Sequence, residues 1–522
     1  MTKMNIQPSQ LPSSVLSGSS VQEAPVPCAT RVVMPIATGE TYTGGTYRLA
    51  HVATIGVHSI QFGYWNGLNG SGVETANPYS LTVTAGLELP SGATPFPATF
   101  GGNNSVVIPP NAWAWTDPIE VDIPAGTTFY ERSFVQTPSQ SQGFGVGNLG
   151  NDTGSYGDST NQTTGASPVD YTKTATSLGA PGASDWMFGA SSIIGIPFLS
   201  SGSVRPKIAS VGIIGDSISS GLFDNPPTLG YWLRALNGNF PYTQVAMSGD
   251  AAVYWAANSG RHRGLPLKYC NNFVCAEGRN DVTGSATLAS IQANLILIWQ
   301  YCQNRGAATI FQTTITPSAT SSDNWTTLIN QTPISNNSKR VALNDWLRAG
   351  APMLAGVAVT AGTSGAVTCA YWNASGLVST GTGGHPLTAV WEIANIVESA
   401  QDSGLWAVPS NARTVTDAAI TSGSGVVTSN SANFTAADVG TGISIAGAGS
   451  SGATLKASIL SVTNSTTAVL GAMSIGWRIT ASTTVSGAVA QIGSPTLDGL
   501  HPCCANYIAM TAGVHTSQFV AT

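Results

Sequence analysis

The sequence predicts an α/β domain with a parallel sheet, preceded and interrupted by all-β segments. Three observations carry this reading. Ile208 to Ile214 is an apolar run suited to a strand covered on both faces. Strand-like and helix-like segments alternate after it, as layered α/β domains require. Residues 31–206 and 409–490 instead hold short β-branched and aromatic runs, broken by Gly, Pro and Asn, without helical spacing.

The elements follow in order. Residues 1–30 are polar and Pro-containing and read as an arm or linker. In 31–206, "TYRLAHVAT", "SLTVTAGLEL", "NSVVIPP" and "PIEVDIPAGTTFYERSFV" are strand-like, which suggests an antiparallel sandwich or jelly roll serving carbohydrate binding or attachment. The Gly/Ser/Asn-rich stretch 143–167 reads as a long loop. The α/β style begins at Lys207 and runs to residue 408. "TLGYWLRALNG" is a short helix with Gly238 as its stop. "TQVAM", "YCNNFVC" and "ATIFQTTI" are strands. Leu288, Ile291, Leu295, Ile298 and Cys302 lie at helical spacing, and Arg340 to Arg348 is another helix. Residues 409–490 form a small all-β insertion. Residues 491–522 return to the α/β style, with "ANYIAMTAGV" a terminal helix.

Composition narrows the function. A chain of 522 residues allows two to four domains at roughly 150 residues each. Only 8% of residues are charged and the net charge is −6, with no basic stretch, which argues against nucleic acid and anionic membranes as partners. No run approaches the roughly 18 apolar residues of a membrane span. The first twenty residues lack the apolar stretch of a secretory signal. Seven cysteines show neither Cys-x-x-Cys pairing nor metal spacing. Adjacent Cys503 and Cys504 are expected to pack as small apolar thiols.

The chemistry gathers around Ser217. It lies in "GIIGDSISS", where the first parallel strand meets its helix, and open α/β sheets bind ligands at that edge. A serine hydroxyl needs a base, and the base needs an orienting group. His501, in "SPTLDGLHPCC", has Asp498 three residues before it, close enough for the carboxylate to reach its imidazole. The second strand leads to "MSGDAA", where Gly249 can offer a bare backbone N–H. The third leads to "AEGRND", where Asn280 can offer an amide. Such donors stabilise an oxyanion. The G-x-S-x-G elbow is absent, since the sequence reads Gly215-Asp216-Ser217-Ile218-Ser219.

These blocks, in this order, resemble the GDSL/SGNH hydrolase family. The resemblance covers 207–408 and 491–522 and implies a flavodoxin-like α/β/α sandwich that hydrolyses esters without metal or cofactor. It implies that Ser217 is the nucleophile, with Asp498 and His501 completing a triad. It also implies that the Ser217 N–H, Gly249 and Asn280 form the oxyanion hole. The segment "AAITSGSGVVTSNSANFTAADVGTGISIAG" is similar to β modules of bacteriophage tail fibres and tailspikes. That second resemblance implies a virion appendage, a homotrimer attached to the virion, made in the cytoplasm and acting on O-acetylated bacterial polysaccharide. A general small-ester esterase or lipase and a non-catalytic receptor-binding tail protein are the alternatives. Asp216, Asp250 and Asp281 are expected to be structural, His385 a loop residue and His262 exposed. Tyr254, Trp255 and Trp325 stay open between sugar stacking and core packing.

Overall fold

A computed structural model of the chain describes residues 24–32, 34–35, 37–38, 44–138, 144–147, 158–163, 168–179, 187–198, 207–225, 229–256, 262–471 and 480–522. Its N-terminal part contains two antiparallel sheets. One pairs Val26–Pro27, Val57–Trp65, Trp113–Trp115, Ile119–Ile123 and Ser192–Pro197. The other pairs Gly44–Val52, Leu81–Glu88, Phe96–Pro97, Val106–Ile108, Thr128–Gln136 and Ser159–Thr163. Ile60, Phe62 and Tyr64 of the first and Leu49, Val83 and Phe129 of the second fill one shared core, the alternation expected of strands with one buried face.

Two expectations change here. Val26 and Pro27, assigned to the arm, pair with Gly195 and Ile194; residues 1–23 of the arm lie outside the described residues. Within the presumed loop 143–167, Ser159–Thr163 is an edge strand on Gly44–Val52. Its polar composition hid it. Buried Asp158 holds its start, binding Arg31 Nη1 at 3.0 Å and the Ala50 N–H at 2.9 Å. A separate hairpin, β1 (Gly67–Gly70) and β2 (Val73–Ala76), projects from this part through the turn at Ser71–Gly72.

The α/β part follows the expected alternation. Its elements are β3 (Val211–Ile214), α1 (Gly230–Leu236), β4 (Tyr242–Gln244), α2 (Ala252–Ala256), β5 (Asn272–Cys275), α3 (Arg279–Thr283), α4 (Leu288–Gln303), β6 (Thr309–Thr313), α5 (Asn337–Arg348), β7 (Ala370–Asn373), β8 (Gly376–Ser379), β9 (Ala389–Trp391) and α6 (Ala394–Val397). The sheet order is β4-β3-β5-β6-β9-β7-β8, parallel except for β8. Alternate strand residues face opposite layers. Val211, Ile213, Val274, Phe311 and Trp391 pack with α1 and α6, whereas Ile214, Phe273, Cys275, Ile310 and Val390 pack with α4 and α5. Helices therefore cover both faces, which is why the strands read as continuous apolar runs.

The chain then enters a closed antiparallel barrel. Its strands are β10 (Arg413–Ile420), β11 (Val426–Thr428), β12 (Gly442–Ile445), β13 (Leu455–Asn464), β14 (Thr467–Gly471) and β15 (Val485–Ser494), in the order β10-β11-β14-β13-β12-β15. Small and branched side chains fill it, among them Val427, Ile443, Ile459, Leu470 and Ile492. The barrel strands run past residue 490, so the insertion leads straight into the segment carrying Asp498. The terminal helix α7 (Cys504–Met510) then returns to the α1 layer through Tyr507 and Met510. All seven cysteines are free and buried.

Ile443 is fully buried in the barrel. Ile443→Ala is expected to destabilise the barrel by about 2–5 kcal/mol, read as a lower denaturation midpoint.

Candidate active site

The chain after β3 turns at once. The Asp216 Oδ1 accepts the Ile218 N–H at 2.9 Å, and the Ser220 N–H returns to the Asp216 carbonyl at 3.0 Å. This turn holds Ser217, 6% exposed, at the carboxyl end of β3. Ser217 Oγ lies 2.8 Å from His501 Nε2, and His501 Nδ1 lies 2.6 Å from Asp498 Oδ2. A carboxylate can only accept, so the imidazole proton sits on Nδ1 and Nε2 presents its lone pair to the serine hydroxyl. Burial would raise the Asp498 carboxyl, but His501 and the N–H groups of Leu500 and His501 outweigh it and lower it below the ordinary value. The Phe223 ring stands edge-on to His501, with centroids 5.0 Å apart.

The loop bearing Asp498 and His501 is anchored from two directions. From the α/β side, the Ala319 N–H and Trp406 Nε1 both donate to the Gly499 carbonyl, at 3.0 and 2.9 Å. From the barrel, Lys456 Nζ donates to the Leu497 carbonyl at 3.0 Å, and the Gly440 carbonyl accepts the Ala505 N–H at 3.0 Å. These contacts leave no local pattern in the sequence, because each joins residues far apart in the chain.

Gly249 follows β4 with φ at +81°, a region that favours glycine. The Met247 N–H donates to the Gly215 carbonyl at 2.9 Å, tying the Gly249 loop to the turn before Ser217. The N–H groups of Ser217 and Gly249 have no hydrogen-bond partner among the described residues. Asn280, on α3, donates through Nδ2 to the Asp250 carbonyl at 2.6 Å. One amide proton is thereby used to hold the Gly249–Asp250 loop, and an –NH2 group keeps a second. The structure thus brings Ser217, Asp498 and His501 into one hydrogen-bonded chain and sets Asn280 against the Gly249 loop.

The other candidates divide cleanly. Asp281 accepts the N–H groups of Ala252 and Val253 at 2.7 and 3.1 Å, anchoring α2. Asp250 pairs with buried Arg263. His385 bonds the Ala351 carbonyl and the Leu387 N–H. His262 is half-exposed and lies beside Glu74 of β2. Trp255 and Trp325 are core residues, 3% and 6% exposed, and the Trp325 indole donates to the Ala319 carbonyl. Tyr254 is exposed. Cys503 and Cys504 are buried as expected, Cys504 accepting from Arg234 at 3.4 Å.

Glu277 was missed by sequence reasoning. It is fully buried beneath the site, and burial, then the negative charges of Asp250 and Asp216, push its carboxyl well above the ordinary value. Burial likewise raises the Asp216 carboxyl, to about 6. Among the described residues, no group of His, Cys, Asp and Glu could hold a metal ion, and no helix is long and apolar enough to cross a membrane.

No family model and no curated protein matches the sequence. Solved structures similar to this chain include a GDSL-like lipase from Bacteroides thetaiotaomicron, at 16% identity over 26% of this chain and 60% of that one, with a TM-score of 0.19. A putative acylhydrolase from Bacteroides fragilis matches at 13% identity over 40% of this chain and 75% of that one, TM-score 0.23. A family two carbohydrate esterase from Clostridium thermocellum, solved with cellohexaose, matches at 12% identity over 56% of this chain and 74% of that one, TM-score 0.19. The chain thus spans less than two thirds of the length of the Bacteroides thetaiotaomicron lipase.

Because folding raises the Glu277 carboxyl, the folded state favours its protonated form. The resulting stability is intact below the ordinary value of 4.5 and is lost as pH rises toward the folded value. Glu277→Gln mimics the protonated side chain and removes that loss. The variant's melting temperature should exceed the wild type's by an amount that grows from pH 5 to pH 8, driven by up to about 1.4 kcal/mol per pH unit; a constant difference would show that Glu277 is ionised in the fold.

Proposed function

We propose that this chain is a serine esterase of the SGNH type. The observation that carries the reading is the Ser217–His501–Asp498 chain, with contacts of 2.8 and 2.6 Å, together with the backbone N–H groups of Ser217 and Gly249, which have no partner among the described residues. In the proposed reaction, Ser217 Oγ bonds to the ester carbonyl carbon while its proton passes to His501 Nε2. The carbonyl electrons move onto oxygen, and the N–H groups of Ser217 and Gly249, with the free proton of the Asn280 amide, receive that oxyanion. The bond to the alcohol oxygen breaks, and His501 returns its proton to the leaving alcohol. Water, deprotonated by His501, attacks the acyl-enzyme and releases the acid and free Ser217. Asp498 keeps the imidazole in the productive tautomer and stabilises it when charged.

We further propose that the substrate is an O-acetyl group on a bacterial surface polysaccharide, and that the chain acts as a homotrimeric component of a phage tail appendage. The likeness of the barrel segment to tail-fibre modules and the low-charge, hydroxyl-rich composition support this setting. The large β portion offers surface for a polymer beyond the small acyl group.

The test compares wild type, Ser217→Ala and Asp498→Asn for acetate release from O-acetylated bacterial polysaccharide and from p-nitrophenyl acetate. Ser217→Ala is expected to lose more than about 10³-fold in kcat with polysaccharide binding retained, and Asp498→Asn about 10³–10⁴-fold. Unchanged hydrolysis in Ser217→Ala would overturn the mechanism. Cleavage of p-nitrophenyl acetate alone would favour a general small-ester esterase.

A further inference from the structure

The turn of the β1–β2 hairpin touches the Gly249 loop. Gly72 and Gly249 meet backbone to backbone: a Cβ on Gly72 would lie 2.1 Å from the Gly249 carbonyl oxygen, and a Cβ on Gly249 would lie 3.1 Å from the Gly72 Cα. Both glycines have positive φ, +92° and +81°. A side chain on either one would force the two segments apart.

Asn69 makes the directed contact. Its Oδ1 accepts the Gly72 N–H at 2.7 Å, which shapes the hairpin turn. Its Nδ2 donates to the Ser248 carbonyl at 2.8 Å, across 179 residues of sequence. The Ser248 carbonyl and the Gly249 N–H belong to one planar trans peptide and point in opposite directions. A hydrogen bond to the carbonyl therefore fixes where the N–H points. It also polarises the amide, which strengthens the N–H as a donor. Glycine gives this peptide little intrinsic restraint, so the restraint comes from outside. Asn280 supplies it on the far side through the Asp250 carbonyl, and Asn69 supplies it on the near side.

We infer that Asn69 is a positioning residue for the oxyanion donor of Gly249, so that the N-terminal β region completes the active site of the α/β domain. This inference rests on the esterase reading. Asn69 acts through the Ser248–Gly249 peptide and need not touch the substrate.

The experiment uses the full chain as wild type, Asn69→Ala, Asn69→Asp and Ser217→Ala. Asn69→Asp separates the two contacts of the side chain: a carboxylate oxygen still accepts the Gly72 N–H, but none can donate to the Ser248 carbonyl. Melting temperature, kcat and KM on p-nitrophenyl acetate, and inhibition by a small alkyl boronic acid are measured. The boronate forms a tetrahedral adduct on a serine hydroxyl and places an oxygen where the oxyanion forms. The expected result for Asn69→Asp is a nearly unchanged melting temperature, KM within about twofold, kcat reduced at least about tenfold, and boronate affinity reduced in parallel; complete loss of one donor would reach about 10²–10³-fold. Asn69→Ala should show the same kinetic pattern. If both variants keep kcat and boronate affinity within about twofold while Ser217→Ala is inactive, the positioning role is overturned and the esterase reading stands. A rise in KM with kcat retained would likewise overturn it. Hydrolysis surviving in Ser217→Ala would overturn the esterase reading and this inference with it.

Discussion

The 2.8 Å contact between Ser217 Oγ and His501 Nε2 joins residues 284 positions apart, and much of the surrounding architecture serves to make it possible. A hydrogen bond tolerates only a few tenths of an ångström of misplacement before it weakens. Both ends must therefore be held more rigidly than an ordinary loop. Ser217 is held by β3 and the Asp216 turn. His501 sits on a loop whose carbonyls at Leu497 and Gly499 are bonded from the barrel and from the α/β layer. The carboxylate of Asp498 adds the local restraint, accepting two backbone N–H groups as well as the imidazole.

A second constraint lies beneath the sheet edge. Asp216, Asp250, Glu277, Arg263 and Arg279 are buried together, where unpaired charge is costly. Burial lowers the Arg279 guanidinium to about 10 and raises the carboxyls of Asp250 and Glu277. Burial thus makes the acids of this cluster harder to ionise than in water. Asp250 links it to the Gly249 loop directly, so the electrostatics of the core and the position of a backbone N–H at the surface are not independent.

What could be read from the sequence depended on distance along the chain. Ser217, Gly249 and Asn280 each follow a strand of the parallel sheet within a few residues, and Asp498 and His501 are three apart. Their proximity follows from local pattern and sheet topology. One helix layer was legible from apolar spacing in α4 and α5 and the other from the short apolar helix α1 with its glycine stop, whereas α2, α3 and α6 are too short to show a period. Asn69, Trp406 and Lys456 were invisible for the opposite reason. Each bonds a backbone carbonyl, which carries no residue identity, on a segment that only the fold brings near. Glu277 was hidden because a single acid beside a strand end looks the same whether it is solvated or buried. Ser159–Thr163 reads as a loop because an edge strand can be polar throughout.

The two ends of the barrel lie together: β10 and β15 pair directly, Arg413 opposite Ile492 and Thr414 opposite Gln491. The chain therefore leaves the α/β domain and re-enters it at neighbouring points, and the barrel's own hydrogen bonds, not the host, bear the entropy of closing the loop. Seen from the sheet, the insertion is equivalent to a short, stiff turn. Its interior and outer surface can then diverge in sequence or be exchanged for another closed module, so long as the replacement keeps the spacing of its two ends and supplies donors equivalent to Lys456. A domain built this way can acquire new surfaces for new environments while the geometry of its Asp498–His501 loop is inherited unchanged.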